Sequence, residues 1–547
     1  MATDSARRIV WPCISLIFPL FVLASGADVA PTFRLASYYG NHMVLQMEPH
    51  KSKIWGYGAA NANLELILKG KPYVTQTYPG PDQEWIWQVI LDRMPPSGPF
   101  DITIKHRDTQ NVTEVIVLQD VLFGDVWFCS GQSNMQFTVN EVFNASQEMM
   151  ESYKYPNVRL FTADLVESHE PYYDLKSVLE PWSIPSPETV AKGPKVYFSA
   201  LCWFYGRNIY DHFKYPIGLV VSCWGGTPIE AWSSPDSLRK CNITDEPVKD
   251  RKLIYPMKNP AVPPNYGGEV PGPAEHSILW NSMIHPFLNL TVRGVLWYQG
   301  ESNAPAPESY SCSFPAMIED WRDKFYIGTD KQTDQQFPFG FVQISSVQGN
   351  ETLINGYPTI RWHQTADYGY VPNEKMPNVF MAVAMDIGDP QSPWGPVHPR
   401  YKEDAAHRLT LAGRAVAYGE NYVKFQGPFP TEIIIIPQLN IIDIIYDNKE
   451  TEIVIQYDNG FEVCCSPTNN CTYLSTDWHA APISSAIGTY GVQLSTKQCS
   501  NETMQAIRYA WRDYPCVYKQ CSVYSRVNAL PAPHILFSLT DKRVIWK

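Results

Sequence analysis

The stretch FCSGQSNMQF, residues 128–137, holds a serine with two possible employments. Ser133 and Gln136 make the S-x-x-Q pattern of a capping box, in which a hydroxyl and an amide side chain satisfy the orphan N–H groups of a starting helix. Ser133 can equally be a nucleophile, but acyl transfer then demands companions: a base, a group that orients the base, and N–H donors aimed where an oxyanion forms. The chain supplies them downstream. Gly225 and Gly226 stand in WGGTPIEAW, Gln299 and Asn303 in WYQGESN, Asp386 and Asp389 in MDIGD, and His398 in HPRYK. A helix cap requires none of these, so the ensemble favours Ser133 as nucleophile and His398 as base. His398 lies in a Pro-bounded loop ahead of a helix, whereas His363 and His407 sit inside helical patterns. The serine lacks the second glycine of G-x-S-x-G, which excludes the strained strand-to-helix elbow.

Each companion also has a plainer use. An Asp that closes a strand often accepts turn N–H bonds, the paired glycines can simply permit a tight turn, and Trp224 and Trp232 can be core or an apolar wall beside a substrate.

These residues must be carried by something that brings distant segments together. Five apolar runs, VLFGDVWFC, IGLVVSCW, RGVLWYQ, FPFGFVQIS and VFMAVAM, each lead into a loop and then a helical stretch. Strands alternating with helices predict a parallel sheet covered on both faces, a three-layer α/β core over residues 119–425. Open sheets of this kind place ligands at the carboxyl ends of their strands, and that is where Ser133, Gly225, Gly226, Gln299, Asn303, Asp386, Asp389 and His398 fall. From Phe33 to about Leu118, short apolar runs separated by turn residues predict an antiparallel β-sandwich, so residues 27–118 form an N-terminal β-rich module. The same style in EIIIIPQLNIIDIIYD and EIVIQYDNGFEV predicts a second β-rich module over 426–547.

At 547 residues the chain exceeds one core, and 44% hydrophobic against 18% charged residues describes a folded chain, not a disordered one. Arg7 and Arg8, the apolar run Ile9 to Ala24 and the small residues Ala24-Ser25-Gly26 have the layout of a secretory signal over 1–26. The run is short for a spanning helix, and no later one suffices, so no membrane span is expected. Seven N-x-[ST] sequons, at Asn111, Asn144, Asn242, Asn289, Asn350, Asn470 and Asn501, fit a lumenal glycoprotein. Six cysteines crowd the last hundred residues (Cys464, Cys465, Cys471, Cys499, Cys516, Cys521), which in an oxidising compartment is a disulfide framework. Cys129, Cys202, Cys223, Cys241 and Cys312 are an odd set, so one thiol at least has no partner among them. A net charge of -12 argues against nucleic acid as a partner. No H-E-x-x-H, C-x-x-C pair or P-loop occurs, so neither a metal nor a nucleotide cofactor is expected.

The ordered set GQSNM, WGGTPIEAW, WYQGESN and MDIGD with HPRYK, together with FRLASYYGNHMVLQ and YAWRDYPCVYKQC, resembles the SGNH-type carbohydrate esterases, in the branch that acts on sialic acids. The resemblance runs from about residue 33 to the C-terminus and implies an SGNH-like core. It implies a serine esterase that removes O-acetyl groups from sialic acid, free or on glycans and chiefly at the 9-position, through an acetyl-enzyme, in the lysosome or secreted. It implies that Ser133 attacks, that His398 shuttles the proton, and that the oxyanion hole draws on Ser133, Gly225 or Gly226, and Gln299 or Asn303. The family commonly carries D-x-x-H, but Gly395 stands three before His398. The orienting acid is therefore open between Asp389, Asp386 and a dyad steadied by a backbone carbonyl. A sialate carboxylate calls for Arg, and Arg361 and Arg400 are the nearest in sequence, with Trp224 as an apolar wall. Two alternatives stay open: an acetylesterase for another carbohydrate such as acetylxylan, and a carbohydrate-binding protein with a degenerate hydrolase core.

Overall fold

A computed structural model describes residues 33–193, 195–244, 272–347, 349, 351–466, 471–499 and 503–539. The 1–26 leader lies outside them. Seven strands make the central sheet: β1 (Thr113–Gly131), β2 (Val158–Ala163), β3 (Val178–Ser183), β4 (Ile217–Cys223), β5 (Gly294–Tyr298), β6 (Phe339–Gln343) and β7 (Val379–Val383). Their spatial order is β3-β2-β4-β1-β5-β6-β7. All pairings are parallel except β2 with β3. The five strands expected from sequence are the contiguous run β4-β1-β5-β6-β7; the edge pair β2 and β3 is an addition that VRLFTA and VLEPWS did not announce.

The strands β4, β5, β6 and β7 are buried along their whole length, as strands covered on both faces must be. Alternation of side chains places Trp127 and Phe128 on opposite faces of β1. Trp127 packs edge-on against Tyr205 of α2 (Ala200–Phe213), while Phe128 meets Trp321 and Phe325 of α3 (Tyr310–Gly328). Helices α4 (Tyr357–His363) and α5 (Lys402–Val416) complete the cover. A disulfide, Cys129–Cys202, ties β1 to α2, and Cys241–Cys312 ties a surface segment to α3.

The register aligns the strand ends. Gly131 lies opposite both Cys223 and Tyr298, and Gln343 opposite Val383, so the loops that follow emerge at one rim. Gly131 is required there. Its φ is +138°, and a β-carbon would stand 2.2 Å from the Tyr298 carbonyl oxygen.

The N-terminal strands are antiparallel apart from Val44–Gln46, which pairs parallel with β1. β1 itself begins in the N-terminal sheet and ends in the central one. A module boundary at 118/119 therefore falls inside a continuous strand. The C-terminal region forms further antiparallel sheets, stapled by Cys464–Cys471, Cys465–Cys499 and Cys516–Cys521. Among the described residues Cys223 is the free thiol, buried at the end of β4. No helix among the described residues is long and apolar enough to cross a membrane.

Candidate active site

The first question is answered by helix α1 (Ser133–Gln136). Its cap is Gln132, whose carbonyl accepts from Met135 and Gln136, and Ser133 is the first helical residue. The capping-box reading thus fails. The Gln136 side chain instead accepts the Gly225 N–H at 2.8 Å, pulling the loop after β4 onto the loop after β1. A β-carbon on Gly225 would lie 3.1 Å from Ser133 Cβ. The glycine is what permits this approach.

His398 is brought to the same rim through the neighbours of Ser133. Asn134, the residue after the serine, donates through Nδ2 to the carbonyl of Val397, the residue before the histidine, at 2.9 Å. Phe137 stacks on the imidazole with ring centroids 6.2 Å apart. The imidazole Nδ1 is 2.8 Å from the Trp394 carbonyl oxygen. A carbonyl only accepts, so Nδ1 carries the hydrogen and Nε2 is the basic nitrogen. Burial, then the charge of Lys195 and more weakly that of Lys402, hold His398 well below the usual histidine range.

Both aspartates prove to be employed elsewhere, which corrects the expectation of an orienting acid. Asp389 receives a bidentate pair from Arg400, 2.7 Å to Nε and 3.1 Å to Nη2. It closes the 389–400 loop like a staple. Asp386, fully buried, binds Arg408 through both oxygens and accepts from the Tyr524 hydroxyl. The partner of Nδ1 is the Trp394 backbone carbonyl, the arrangement of the third alternative left open in sequence.

The substrate-binding arginines change roles as well. Arg361 is completely buried and gives its donors to the carbonyls of Ile344, Arg512 and Asp513; burial brings its pKa down to about 10. It bolts the C-terminal region to the core and, fully buried, is closed to a ligand. Arg400 is taken by Asp389 and lies over the Phe143 ring at 4.1 Å. Trp224 stays half-buried beside Gly225, as a rim wall would.

The proposed side-chain oxyanion donors are also engaged. Gln299 Nε2 donates to the Thr227 carbonyl and to Asn303 Oδ1, while Asn303 Nδ2 donates to Glu230 and its Oδ1 accepts from the Ile229 N–H. Together they fix the 227–229 loop. The Gly225 N–H is spent on Gln136, which leaves the first-turn N–H of Ser133, outside the helix's own ladder, and the left-handed turn at Gly226 (φ +75°).

Three residues were missed. Asn134, Glu301 and Lys402 form a buried chain beneath Ser133 and His398. Asn134 Nδ2 donates to Glu301 Oε1 at 2.6 Å, and Lys402 Nζ donates to Asn134 Oδ1 at 2.7 Å and to the Pro399 carbonyl at 2.6 Å. All three lie inside the motifs quoted from sequence, in GQSNM, GESN and HPRYK. No periodicity or spacing distinguished them from surface residues.

Of the sequons, Asn111, Asn144 and Asn242 are exposed. Asn289 is only 7% exposed and accepts from Lys53 Nζ at 2.8 Å. Asn350, Asn470 and Asn501 lie outside the described residues. No cluster of metal-ligating side chains occurs among the described residues.

Residues 431–539 match the family model described as "Sialate O-acetylesterase C-terminal domain". The chain is 44% identical over 529 residues to a mouse protein named sialate O-acetylesterase, covering 94% of this chain and 95% of that one. It is 41% identical to the human protein of the same name, covering 97% of each. Among solved structures it is similar to a carbohydrate acetylesterase from Xanthomonas citri, with a TM-score of 0.72 at 24% identity, over 92% of this chain and 99% of that one.

Proposed function

Because the chain belongs to the sialate O-acetylesterase family and is an esterase, we propose that it hydrolyses O-acetyl esters of sialic acids, chiefly at the 9-position, with Ser133 and His398 as a dyad on an SGNH-type core flanked by β-sandwich modules. The observation that carries the dyad is the Asn134–Val397 hydrogen bond, which joins the residue after the nucleophile to the residue before the base across 263 positions of sequence.

The reaction follows from the groups at hand. Ser133 Oγ attacks the acetyl carbonyl carbon as its proton passes to His398 Nε2, and the main-chain N–H groups of Ser133 and Gly226 receive the developing oxyanion. Collapse breaks the sugar C–O–acetyl bond on the acyl side, and the imidazolium returns its proton to the departing sugar hydroxyl. Water, deprotonated by the same Nε2, then cleaves the acetyl-enzyme to acetate and free serine. The Trp394 carbonyl keeps Nδ1–H in place throughout. Trp224 supplies the apolar wall for the sugar. The signal-like leader and the five disulfides support a secretory-pathway location, lysosomal or secreted.

Ser133→Ala tests the reading. Turnover of 9-O-acetylated sialic acid should fall by on the order of 10⁴-fold or more at an unchanged Tm. Persisting turnover overturns the serine mechanism. Side-by-side rates on 9-O-acetylated and 4-O-acetylated sialic acid and on acetylated xylose oligomers decide the substrate, and a preference for xylose esters would overturn the sialate assignment.

A further inference from the structure

Lys402 occupies a position that costs stability three ways. It is 1% exposed, so its ammonium is stripped of water. It is the first residue of α5, where the helix dipole disfavours a cation. A second cation, Lys195, acts on it as well. An apolar side chain of similar volume would serve packing better, and every donor contact that Lys402 makes is directed at the site. Nζ reaches Asn134 Oδ1 in the nucleophile's helix and the Pro399 carbonyl in the base's loop, and stands 4.4 Å from the centroid of Phe137, the ring that also stacks on His398. Asn134 spends its remaining amide on Glu301 and on Val397, so its orientation is fixed: oxygen toward the cation, nitrogen toward the carboxylate.

We propose, resting on the Ser133–His398 reading, that Lys402 is a positioning residue for the hydrolysis, its single ammonium clamping the nucleophile helix and the base loop in register through Asn134 and the Pro399 carbonyl. Its charge adds a second effect. Lys402 Nζ and the imidazole both lie against the Phe137 ring, 4.4 and 6.2 Å from its centroid, and Lys195 adds a second positive charge acting on the imidazole. The charges of Glu301, Glu141, Asp389 and Lys195 act on Lys402, which burial brings down to about 7, so that its charge is present in acidic medium. A cation beside the imidazole disfavours imidazolium, so His398 stays a base in acidic medium.

The test is kinetic. Lys402→Met removes clamp and charge; kcat should fall about 100-fold, as for a reacting group displaced by an ångström, with KM little changed. The acid limb of kcat/KM should move to higher pH, because imidazolium is no longer opposed. Lys402→Arg, which keeps the charge, should hold the acid limb at its original pH while kcat drops. Where Lys402→Met does not fold, Lys402→Met with Glu301→Gln leaves no unpaired buried charge and decides the matter with the same two readouts. A folded variant with wild-type kcat and an unmoved acid limb overturns the proposal. If Ser133→Ala is inactive and Lys402→Met behaves as wild type, this inference alone fails; if Ser133→Ala is active, the dyad reading fails with it.

Discussion

The rim of the central sheet has two halves built from similar residues and put to different uses. Past β1, β4 and β5, the polar groups are turned inward on one another and on the loop that carries His398: Gln136 on Gly225, Asn134 on Val397, Gln299 and Asn303 on the 227–229 loop. Past β6 and β7, apart from the 394–402 segment that carries His398 back to the first half, charged groups reach outward to the C-terminal region. Arg361 holds the carbonyls of Arg512 and Asp513, Asp513 accepts from the Val347 N–H, Asp386 accepts from Tyr524, and the Asp386 carbonyl takes the Lys519 N–H. The first half draws Ser133 and His398 into one cluster through hydrogen bonds that converge on Asn134, with Glu301 and Lys402 buried beneath. The second fastens one region to another through the buried Arg361 guanidinium, Asp513, Tyr524 and the Lys519–Asp404 ion pair. An Asp at a strand end is thus no more a catalytic acid than an Arg there is a carboxylate receptor; what each meets decides.

The largest expected contrast comes from one substitution in each half. His398→Ala should lower kcat by about 10⁴-fold, the upper range for loss of a general base, while Tm holds. Asp386→Ala should do the reverse. It strands Arg408 in the interior, a loss of roughly 3–5 kcal/mol, and the folded fraction should keep its kcat. Active-site titration combined with thermal unfolding separates the two, and a folded Asp386→Ala protein with abolished kcat would erase the distinction. Asp389→Asn is the finer probe. Removing an orienting carboxylate from a triad costs about 10⁴-fold, whereas loss of the Arg400 staple should cost less than about tenfold in kcat, because the Trp394 carbonyl remains on Nδ1.

A pair of histidines sharpens the comparison with pH. His398 in the first half and His534 in the second are both buried and both donate Nδ1–H to a carbonyl, of Trp394 and Ala510. Burial lowers both, His534 to about 3, with Arg361 and Arg508 adding to the shift. For a histidine lowered on folding, the unfolded chain binds the proton first. Stability is therefore full above the ordinary histidine range and is lost as pH falls through it toward the folded value, by roughly 1.4 kcal/mol per pH unit per such residue. His534→Phe, which keeps the ring against Trp511, should flatten the fall of Tm between neutral and pH 4 without altering the acid limb of kcat/KM. Lys402→Met should move the acid limb instead.

Legibility in the sequence followed how local each signal was. The five core strands showed as continuous apolar runs, since burial on both faces leaves no alternation to confuse them. Ser133 and His398 could be nominated because their loops follow those runs. The orienter of His398 was not readable, because a main-chain carbonyl has no side-chain identity to find. Arg361 misled because its partners lie 151 and 152 residues away, in a region whose docking no sequence pattern announces. Lys402 opens a helix, where a lysine is ordinarily solvated, and only the fold shows that it is buried.

The smallest expected effect concerns a residue that the N-x-[ST] pattern marks and the fold employs otherwise. Asn289 is held by Lys53 Nζ, and Lys53 also reaches the Gly328 carbonyl and Asp330, so the three fasten the N-terminal strand Lys53–Tyr57 to the core. A glycosylated amide must open to solvent, whereas this side chain faces inward. Replacing Asn111, Asn144 or Asn242 by Gln in protein from secreting cells should each shift gel mobility by one glycan, and Asn289→Gln should leave mobility unchanged. A shift at Asn289 equal to that at the exposed sites would mean that the Lys53 clamp is open in the secreted protein. The rule drawn from the two halves of the rim, that a motif residue is defined by the partner it meets, would then fail at its simplest case.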